Sequence, residues 1–246
     1  MDENVAEPAG AGDALQRLTC DVRRIKKYYL YREIVKLFPP HHTYVETHGG
    51  TAITLLNKEP SPVEVYNDIN ERLTRLFRVV RDHPEEFKRR LQLTPYSEIE
   101  WEKAAEPAED EIEQARRDFV RWRMSIGGRG KAFSYTLHRV RRGMADAVSG
   151  YLSVIDEELP KIVERFRNVQ ILCRDAVEVI RKWDSPDTLF YCDPPYHPST
   201  LVSKDVYEHP MSAEDHEKLL DVLLACKGKV VLSGYDQFSL PQAPRL

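Results

Sequence analysis

Short apolar runs alternate with amphipathic segments over the first and last parts of the chain. Five of these runs have the length and the Val, Ile, Tyr and Phe content of buried strands. They lie at 43–46, 63–66, 169–173, 188–192 and 229–233. Strands that alternate with helices predict a mostly parallel sheet with helices on both faces, which is an α/β fold.

Helical spacing fills the intervals between the predicted strands. Leu73, Leu76, Phe77 and Val80 recur at i, i+3, i+4 and i+7, which is the spacing of one buried helical face. Similar patterns predict a helix that ends before Pro39-Pro40, one through Ile53–Leu56, one at 176–182 and one from Ser212, a residue type that caps helices, to Gly228.

The alternation of strands and helices is lost between about residues 84 and 164. Charged helical stretches there flank a loop of Gly and basic residues at 127–131. This change predicts a mostly helical insert at 84–164 within an α/β domain formed by 22–83 and 165–246. Residues 1–21 are small, acidic and aperiodic, and they predict a disordered tail.

The composition is that of a cytoplasmic globular protein, with 41% hydrophobic and 31% charged residues. No apolar stretch approaches the length of a membrane span, and the acidic N-terminus differs from a signal peptide. We therefore expect no membrane partner. The four cysteines lack Cys-x-x-Cys spacing, and Cys173 and Cys192 lie in strand-like runs, so we predict that both are buried free thiols.

Basic residues are concentrated in the predicted insert. The stretch 116–142 has nine of them and one acid, Asp118, so its net charge is +8, which leaves −12 for the rest of a chain whose total is −4. Such segregation indicates a phosphate-contacting surface. The residues that we predict to bind DNA are Arg121, Arg123, Arg129, Lys131, Arg139, Arg141 and Arg142. The alternative is a solvated basic helix, and we assign most of the interleaved aromatic residues to the core of the insert.

The tetrapeptide Asp193-Pro194-Pro195-Tyr196 follows the predicted strand 188–192 and carries the clearest chemical signal. A carboxylate at the carboxyl end of such a strand lies where α/β sheets bind ligands. The prolines end the pairing of the strand but keep their carbonyl acceptors, and Tyr196 offers a flat aromatic face. Together these groups match the amino group and the planar ring of a nucleobase. An ordinary surface turn is the alternative.

A cofactor site is predicted at the ends of the first two strands. Glu46, Gly49 and Gly50 lie in the first turn, and Asp68 follows 18 residues after Gly50 at the end of the second strand. In doubly wound sheets the first turn holds the cofactor and such an acid binds ribose hydroxyls. The turn lacks the Gly-x-Gly-x-x-Gly fingerprint, which disfavours a nicotinamide dinucleotide. A plain tight turn and a helix cap remain the alternatives.

The histidines give no metal signal. His41, His42 and His48 have no carboxylate or cysteine at ligand spacing, so we expect no metal. We interpret His216 as structural. Tyr207, in the loop after the tetrapeptide, is predicted to help close over the base or the cofactor.

The chain resembles the Dam (D12) family of adenine-specific DNA methyltransferases, which use S-adenosylmethionine. The stretches that carry the resemblance are 38–46, 64–68, 141–146, 185–196 and 232–235, in the order of that family. The resemblance implies a Rossmann-like class I methyltransferase fold with a target-recognition insert. It also implies cofactor contacts at Lys27, Asp68 and Asp193, an acid near the cofactor's adenine at Asp175, and catalysis at Asp193-Pro194-Pro195-Tyr196 on an adenine of double-stranded DNA. A cytosine-N4 amino-methyltransferase is the nearest alternative.

Three departures from the family pattern predict an enzyme of weak or no activity, and we separately expect a monomer. Arg23-Arg24-Ile25-Lys26-Lys27 stands where the family has Trp-x-Gly-Gly-Lys, and Thr47-His48 replaces Pro-Phe in the first turn. The sequence also ends soon after the strand 229–233, so we expect the C-terminal hairpin of the fold to be missing and that strand edge to be exposed. The alternative is a remnant that only binds DNA.

Overall fold

A computed structural model describes residues 25–200 and 208–234 of the protein. The predicted tail at 1–21, Tyr207 and the chain after Gly234 lie outside the described residues. Within the described residues the main sheet has five strands, all paired in parallel: β1 (Thr43–Glu46), β2 (Val63–Asn67), β5 (Val169–Leu172), β6 (Thr188–Cys192) and β7 (Lys229–Leu232). The mostly parallel sheet that the sequence predicts is confirmed.

The strand order β5-β2-β1-β6-β7 creates a crevice at the centre of the sheet. The chain runs outward from β1 to β2 and β5, and then returns to place β6 on the other side of β1. Glu46 pairs with Tyr66 of β2 and Tyr191 of β6, so the three central strands end almost level. In open α/β sheets, ligands bind outside the carboxyl ends of the strands at such a reversal of direction.

Ten α-helices flank or connect the strands within the described residues. They are α1 (Ile25–Lys36), α2 (Ile53–Asn57), α3 (Glu71–Asp82), α4 (Pro84–Gln92), α5 (Glu98–Lys103), α6 (Glu111–Arg123), α7 (Asp146–Ser153), α8 (Leu159–Phe166), α9 (Ala176–Trp183) and α10 (Ala213–Ala225). A π-helical turn, Val154–Glu158, joins α7 to α8. The predicted cap of α10 is present, because the Ser212 hydroxyl accepts a hydrogen bond from the amide of Asp215.

Alternate residues of each strand enter two separate hydrophobic layers. Val65 and Phe190 face one layer, which α9 and α10 cover with residues such as Val179 and Leu219. Tyr44, Tyr66 and Tyr191 are on the opposite face, which α2 and α3 help to cover. Strands buried on both faces need apolar residues at every position, and this explains the nearly continuous apolar runs in the sequence.

The segment that the sequence predicts as an insert shares its core with one face of the sheet. Phe87 of α4, Phe119 of α6 and Tyr151 of α7 belong to the same hydrophobic cluster as Tyr66. The predicted first boundary falls between α3 and α4, and the second falls within α8. The segment is helical apart from a hairpin of β3 (Val140–Arg141) and β4 (Met144–Ala145) and the loop before it.

A buried ion cluster fastens α8 to the sheet. The Glu64 carboxylate of β2 is 2% exposed and lies 2.6 Å from the Lys58 ammonium. Arg165 of α8 donates two hydrogen bonds to the same carboxylate and a third, 2.8 Å long, to the carbonyl of Leu55. A buried carboxylate needs such partners because burial alone would favour its neutral form.

The cysteine prediction is half correct. Cys192 is fully buried in β6, and burial raises the pKa of its thiol to about 12. Cys173 is exposed, because β5 ends at Leu172 and places Cys173 at the open edge of the sheet. In the described part of the chain, no helix is both long enough and apolar enough to cross a membrane.

Candidate active site

The carboxyl ends of four parallel strands bring the predicted acids to one edge of the sheet. Asp68 follows β2 directly and Asp193 follows β6 directly, on either side of β1. Asp175 lies three residues beyond the end of β5. The prediction that these three acids follow the same ends of the strands therefore agrees with the topology of the sheet. Their individual roles toward a cofactor remain predictions.

The first turn packs glycine backbone directly onto an aromatic ring. A Cβ atom on Gly49 would lie 2.1 Å from Cε2 of Tyr66, so only glycine fits at this position. The Tyr66 hydroxyl donates a 2.7 Å hydrogen bond to the Gly50 carbonyl, and the amide of Ala52 donates one of 2.7 Å to the Gly49 carbonyl. Gly50 and Ala52 both have positive φ, 51° and 55°. The turn is thus tightly fixed.

Asp68 connects this turn to the start of α3. One of its carboxylate oxygens accepts a 2.6 Å hydrogen bond from the Gly50 amide, and the other accepts one of 2.8 Å from the Asn70 amide. Asn70 in turn caps α3 by accepting from the amides of Arg72 and Leu73. A carboxylate oxygen accepts more than one hydrogen bond, so these contacts leave Asp68 chemically able to receive ribose hydroxyls.

Asn67 holds three strand ends together, a role that the sequence analysis missed. Its side-chain amide donates to the carbonyls of Thr47, at 2.9 Å, and of Arg174, at 3.0 Å. Its side-chain oxygen accepts a 3.0 Å bond from the Arg174 amide. The loops after β1 and β5 are therefore both anchored on the last residue of β2. An Asn-Asp pair in sequence signals only a helix cap, so these long-range contacts had no local signature.

Glu46 is buried beneath the edge of the sheet and organises the first turn. Its carboxylate accepts hydrogen bonds from the Leu55 amide, at 3.0 Å, and from the Tyr44 hydroxyl, at 3.1 Å. Burial raises the pKa of Glu46 from its ordinary value of 4.5 to about 8, and the negative charge of nearby Asp193 acts in the same direction. The visible contacts of Glu46 are with the protein, and cofactor contact by this residue stays a prediction.

The pKa of Glu46 predicts how stability changes with pH. Because the pKa of Glu46 is higher in the folded protein than in the unfolded chain, protonated Glu46 contributes to the free energy of unfolding. This contribution is complete below about pH 4.5 and is lost as the pH rises toward about 8. Between these pH values we expect the free energy of unfolding of the wild type to fall by about 1.4 kcal/mol per pH unit because of Glu46. Glu46→Gln, whose side chain resembles the protonated acid, should not show this fall. Urea unfolding of both proteins at two pH values inside the window measures the difference. Glu59→Gln, at an exposed site, is the control and should follow the wild type.

The Asp193-Pro194-Pro195-Tyr196 segment continues from a strand that is buried along its whole length. Pro194 is buried, whereas Asp193, Pro195 and Tyr196 are half-buried at the open edge. The Cys192 carbonyl accepts a 2.8 Å hydrogen bond from the Ser233 amide, which keeps the end of β6 paired up to the start of the segment. This backbone support positions the carboxylate of the segment from a rigid element.

His216 supports the tetrapeptide from α10. It is 7% exposed and hydrogen-bonds the backbone of Pro195, and because a proline offers only its carbonyl, the imidazole is the donor. Burial lowers the pKa of His216, and the positive charge of His197 adds to this effect. Its ring centroid is 5.4 Å from that of His197. The structural role that the sequence predicts for His216 is therefore to support the backbone of the Asp193-Pro194-Pro195-Tyr196 segment.

The two remaining predicted cofactor residues are placed differently. The carboxylate of Asp175 is exposed and caps α9 by accepting hydrogen bonds from the amides of Val177, at 2.9 Å, and Glu178, at 3.3 Å. Lys27 lies in α1, which packs against the α2 helix that follows the first turn. The side chain of Lys27 lies outside the described residues, so its contact with a cofactor stays a prediction.

One family model matches most of the chain. The model of the D12 class N6 adenine-specific DNA methyltransferases matches residues 26–125 and 147–239. The chain belongs to this family. It is therefore a member of a family of enzymes that methylate adenine in DNA and that use S-adenosyl-L-methionine. No curated protein matched the chain. The family match includes every strand of the main sheet, the first turn and the Asp193-Pro194-Pro195-Tyr196 segment.

The unmatched residues 126–146 carry the hairpin of this D12 family member. Arg142 and Gly143 form its two-residue turn, with φ of 54° and 75°, the positive values that fit the twist of a tight hairpin. Exposed apolar side chains accompany it, including Leu137 at 83% and Val140 at 72% exposure. The hairpin and the preceding loop carry the predicted DNA-binding residues Arg129, Lys131, Arg139, Arg141 and Arg142.

The other basic residues of the 116–142 stretch bind groups of the protein itself. Arg116 and Arg117 both pair with Glu113 of the same helix. Arg121 lies over the Trp101 ring, 3.7 Å from its centroid, and donates to the carbonyls of Trp101 and Gly130. Arg123 is half-buried against Gly150 of α7, whose added Cβ would lie 3.2 Å from a guanidinium nitrogen. Arg121 and Arg123 therefore have structural contacts within the protein, and their contact with DNA stays a prediction.

Proposed function

We propose that this D12 family member transfers the methyl group of S-adenosylmethionine to N6 of an adenine flipped out of double-stranded DNA. The observation that carries the proposal is the placement of Asp68 and Asp193. They follow the strands on either side of β1, at the edge of the sheet where the Gly49 backbone packs against the Tyr66 ring. One carboxylate is thus available to a cofactor and the other to a base in the same crevice.

The residues around the first turn fit an adenosyl cofactor. Gly49 lets the first turn pack against the Tyr66 ring, which fixes the Gly50 amide on Asp68, and the Asp68 carboxylate supplies acceptors for ribose hydroxyls. When bound, the cofactor supplies an electrophilic methyl group on its sulfonium. Lys27, Glu46, Asp175 and Asp193 complete the set of residues proposed to contact it or to shape its site.

Asp193 and the Pro194 carbonyl are proposed to activate the amine. The N6 lone pair of adenine is delocalised into the ring, so the amine is a poor nucleophile. Two acceptors that bind its two hydrogens draw the nitrogen toward tetrahedral geometry and direct its lone pair at the methyl group. Methyl transfer would then form the nitrogen–carbon bond as the carbon–sulfur bond breaks, the sulfur would keep the electron pair of that bond, and the proton that N6 loses would pass to water. The rate gain comes from positioning and from preorganised charge.

Tyr196 is proposed to stack on the adenine outside the duplex. N6 is inaccessible to this chemistry inside the helix, so the base must leave the stack at a cost of a few kcal/mol. Tyr196 is half-buried beside Asp193, and its ring offers a face that offsets part of this cost. The exposed basic residues of the hairpin region are proposed to hold the phosphates of the duplex meanwhile.

Nucleoside analysis tests the proposal and separates it from its alternatives. The protein is incubated with duplex DNA and isotopically labelled S-adenosylmethionine, and the digested nucleosides are identified by mass. The proposal expects N6-methyladenine. N4-methylcytosine without N6-methyladenine would identify the cytosine enzyme instead. DNA binding with no labelled nucleoside would favour the DNA-binding alternative.

The altered N-terminal motif gives a prediction about cofactor affinity. Ile25 and Lys26 stand where the family has two glycines before Lys27, and added side chains obstruct close approach of the backbone. We expect the variant Ile25→Gly/Lys26→Gly to bind S-adenosylmethionine about tenfold more tightly than the wild type, since a factor of ten corresponds to only about 1.4 kcal/mol. Calorimetric titration measures it. Equal affinities would show that the departure is harmless.

The DNA-facing role of the hairpin turn is testable through salt dependence. We expect Arg141→Ala/Arg142→Ala to weaken DNA binding and to reduce the salt slope by about 0.9 for each lost phosphate contact. Arg141 is exposed, and Arg142 pairs with exposed Glu157. Arg167→Ala is the matched control, because this exposed arginine pairs with Glu164 near the amino end of β5. A slope equal to that of the wild type would remove the pair from the DNA-binding surface.

A further inference from the structure

A polar cleft of about 360 Å³ lies between the start of α3 and the helix α6. We call it the arginine cleft, because three guanidinium groups line it. Its volume falls within the range of small-molecule sites, which leaves room for one nucleotide unit. The lining residues used below are Arg72, Glu106, Asp118, Arg121, Trp122 and Arg129.

Only one of the arginines of the cleft has its charge balanced by buried acid. The Asp118 carboxylate is 3% exposed and lies 2.8 Å from Arg72 and 3.3 Å from Arg75, so two guanidiniums share it. Arg72 also lies 3.4 Å from Glu208. Arg121 and Arg129 form no ion pair among residues 25–200 and 208–234.

Arg121 experiences the surplus of positive charge directly. Burial lowers the pKa of its guanidinium, and the nearby positive charge of Arg72 lowers it further. Glu106 is at the rim of the cleft and offsets part of this surplus. An anion placed between Arg72, Arg121 and Arg129 would relieve the repulsion and accept hydrogen bonds from Arg72 and Arg129. Guanidiniums match the oxygens of a phosphate with paired hydrogen bonds.

The position of the cleft connects the two halves of the proposed site. Arg72 lies four residues after Asp68, in the first turn of α3, and its guanidinium lies 5.0 Å from the ring centroid of Trp122. On the opposite wall, Arg129 begins the exposed basic row that continues to Arg141. A duplex that contacts the hairpin and presents a base to Asp193 would therefore pass beside the cleft.

We propose that the arginine cleft binds a backbone phosphate of the DNA close to the target adenine. The inference rests on the proposed function, because DNA is the phosphate source that it names. Arg129 and Arg72 bind the phosphate oxygens, Arg121 fixes the wall between them, and Trp122 faces the adjoining sugar or base. Asp118 positions Arg72, because its buried carboxylate holds that guanidinium at the cleft.

DNA-binding measurements on a fixed duplex over a range of salt concentrations test the cleft. Arg129→Ala is the primary variant, because this side chain is exposed and forms no hydrogen bond or ion pair with the residues that the structure describes. We expect about tenfold weaker binding at low salt and a salt slope lower by about 0.9. Arg129→Lys should recover most of the slope. Arg167→Ala, the control used for the hairpin, should behave as the wild type does.

A double variant asks whether the two arginines share one phosphate. Arg72→Lys keeps a charge beside Asp118, so it protects the fold while it removes the paired donors. If one phosphate joins both side chains, Arg72→Lys/Arg129→Ala weakens binding by less than the product of the single effects. If the effects of the two single variants on DNA affinity multiply in the double variant, the inference is wrong. It is also wrong if Arg129→Ala leaves the salt slope of DNA binding unchanged. Neither result contradicts the proposed function.

A second arm distinguishes DNA from a free phosphate ligand. Inorganic pyrophosphate is titrated into the protein by calorimetry without DNA. Binding that Arg129→Ala abolishes, together with a normal salt slope for DNA, would overturn the assignment to DNA and give the cleft to a free phosphate compound. A wild-type protein that binds no DNA would overturn the proposed function itself, and the inference with it.

Discussion

Replacement of Asp193 by Asn is expected to lower the rate of methyl transfer by about 10²–10³-fold, the scale for loss of one preorganised polar contact in an active site. The Asp193 carboxylate is proposed to accept one hydrogen of the adenine amine, and the Pro194 carbonyl accepts the other. Asn keeps the shape of the side chain, but its neutral amide oxygen is a weaker acceptor than a carboxylate, and its NH₂ group can only donate. The amine therefore loses an interaction with a negative charge that its transition state needs more than its ground state does.

The exposed acid at the other end of the same strand provides the control. Asp187 precedes β6 and is exposed at the amino edge of the sheet, so Asp187→Asn makes the same chemical change away from the crevice. Single-turnover methylation with DNA at saturation measures the chemical step for both variants. Equal rates for Asp193→Asn and Asp187→Asn would remove Asp193 from catalysis. If the rate of methyl transfer by Asp193→Asn returns to that of the wild type at high cofactor concentration, Asp193 contributes only to cofactor binding.

Local patterns predicted the sheet well because its strands obey a simple rule. A parallel strand buried on both faces is mostly apolar, and the five runs in the sequence correspond to the five strands within one residue at each end. The position of the acids follows from the same rule. Asp68 and Asp193 are the first polar residues after buried strands, and parallel strands bring such ends to one edge.

Contacts between distant residues had no signature in the sequence. Asp118 pairs with Arg72 across 46 residues, so its burial could not be inferred from the basic stretch in which it lies. Arg121 was predicted as a DNA contact from charge alone, yet its guanidinium is held by Trp101 and by two carbonyls. Arg129 and Arg141, which were predicted from the same charge composition, are exposed, and their contact with DNA stays a prediction.

Glu46 shows the same limit within the candidate site. Its place in the first turn was predicted, but its environment depends on Tyr44 and on the Leu55 amide, nine residues later in the chain. Burial among these groups sets its pKa, which no spacing in the sequence encodes. The backbone periodicity thus predicts where a functional segment lies, whereas the protonation of its side chains depends on the packing of the fold.

Gly49→Ala is expected to lower the free energy of unfolding by about 3 kcal/mol and to abolish detectable binding of S-adenosylmethionine. The added methyl group would lie 2.1 Å from the Tyr66 ring, which is fully buried. The ring cannot retreat easily, because it packs 4.9 Å from the Phe77 ring centroid and its hydroxyl donates to Gly50. The turn must therefore move instead, and it would carry the Gly50 amide away from Asp68.

Gly234→Ala separates this steric effect from the general effect of replacing glycine. A Cβ on Gly234 meets no atom of the described residues within 4 Å, and its φ is not positive, so this variant should unfold like the wild type. Urea unfolding gives the free energies and calorimetry gives the cofactor affinities. If Gly49→Ala is as stable as the wild type, the Tyr66 ring can move away from the added methyl group at little cost in free energy. Reduced stability with normal affinity would place the cofactor away from the first turn, and the assignment of Gly49 and Gly50 would fail.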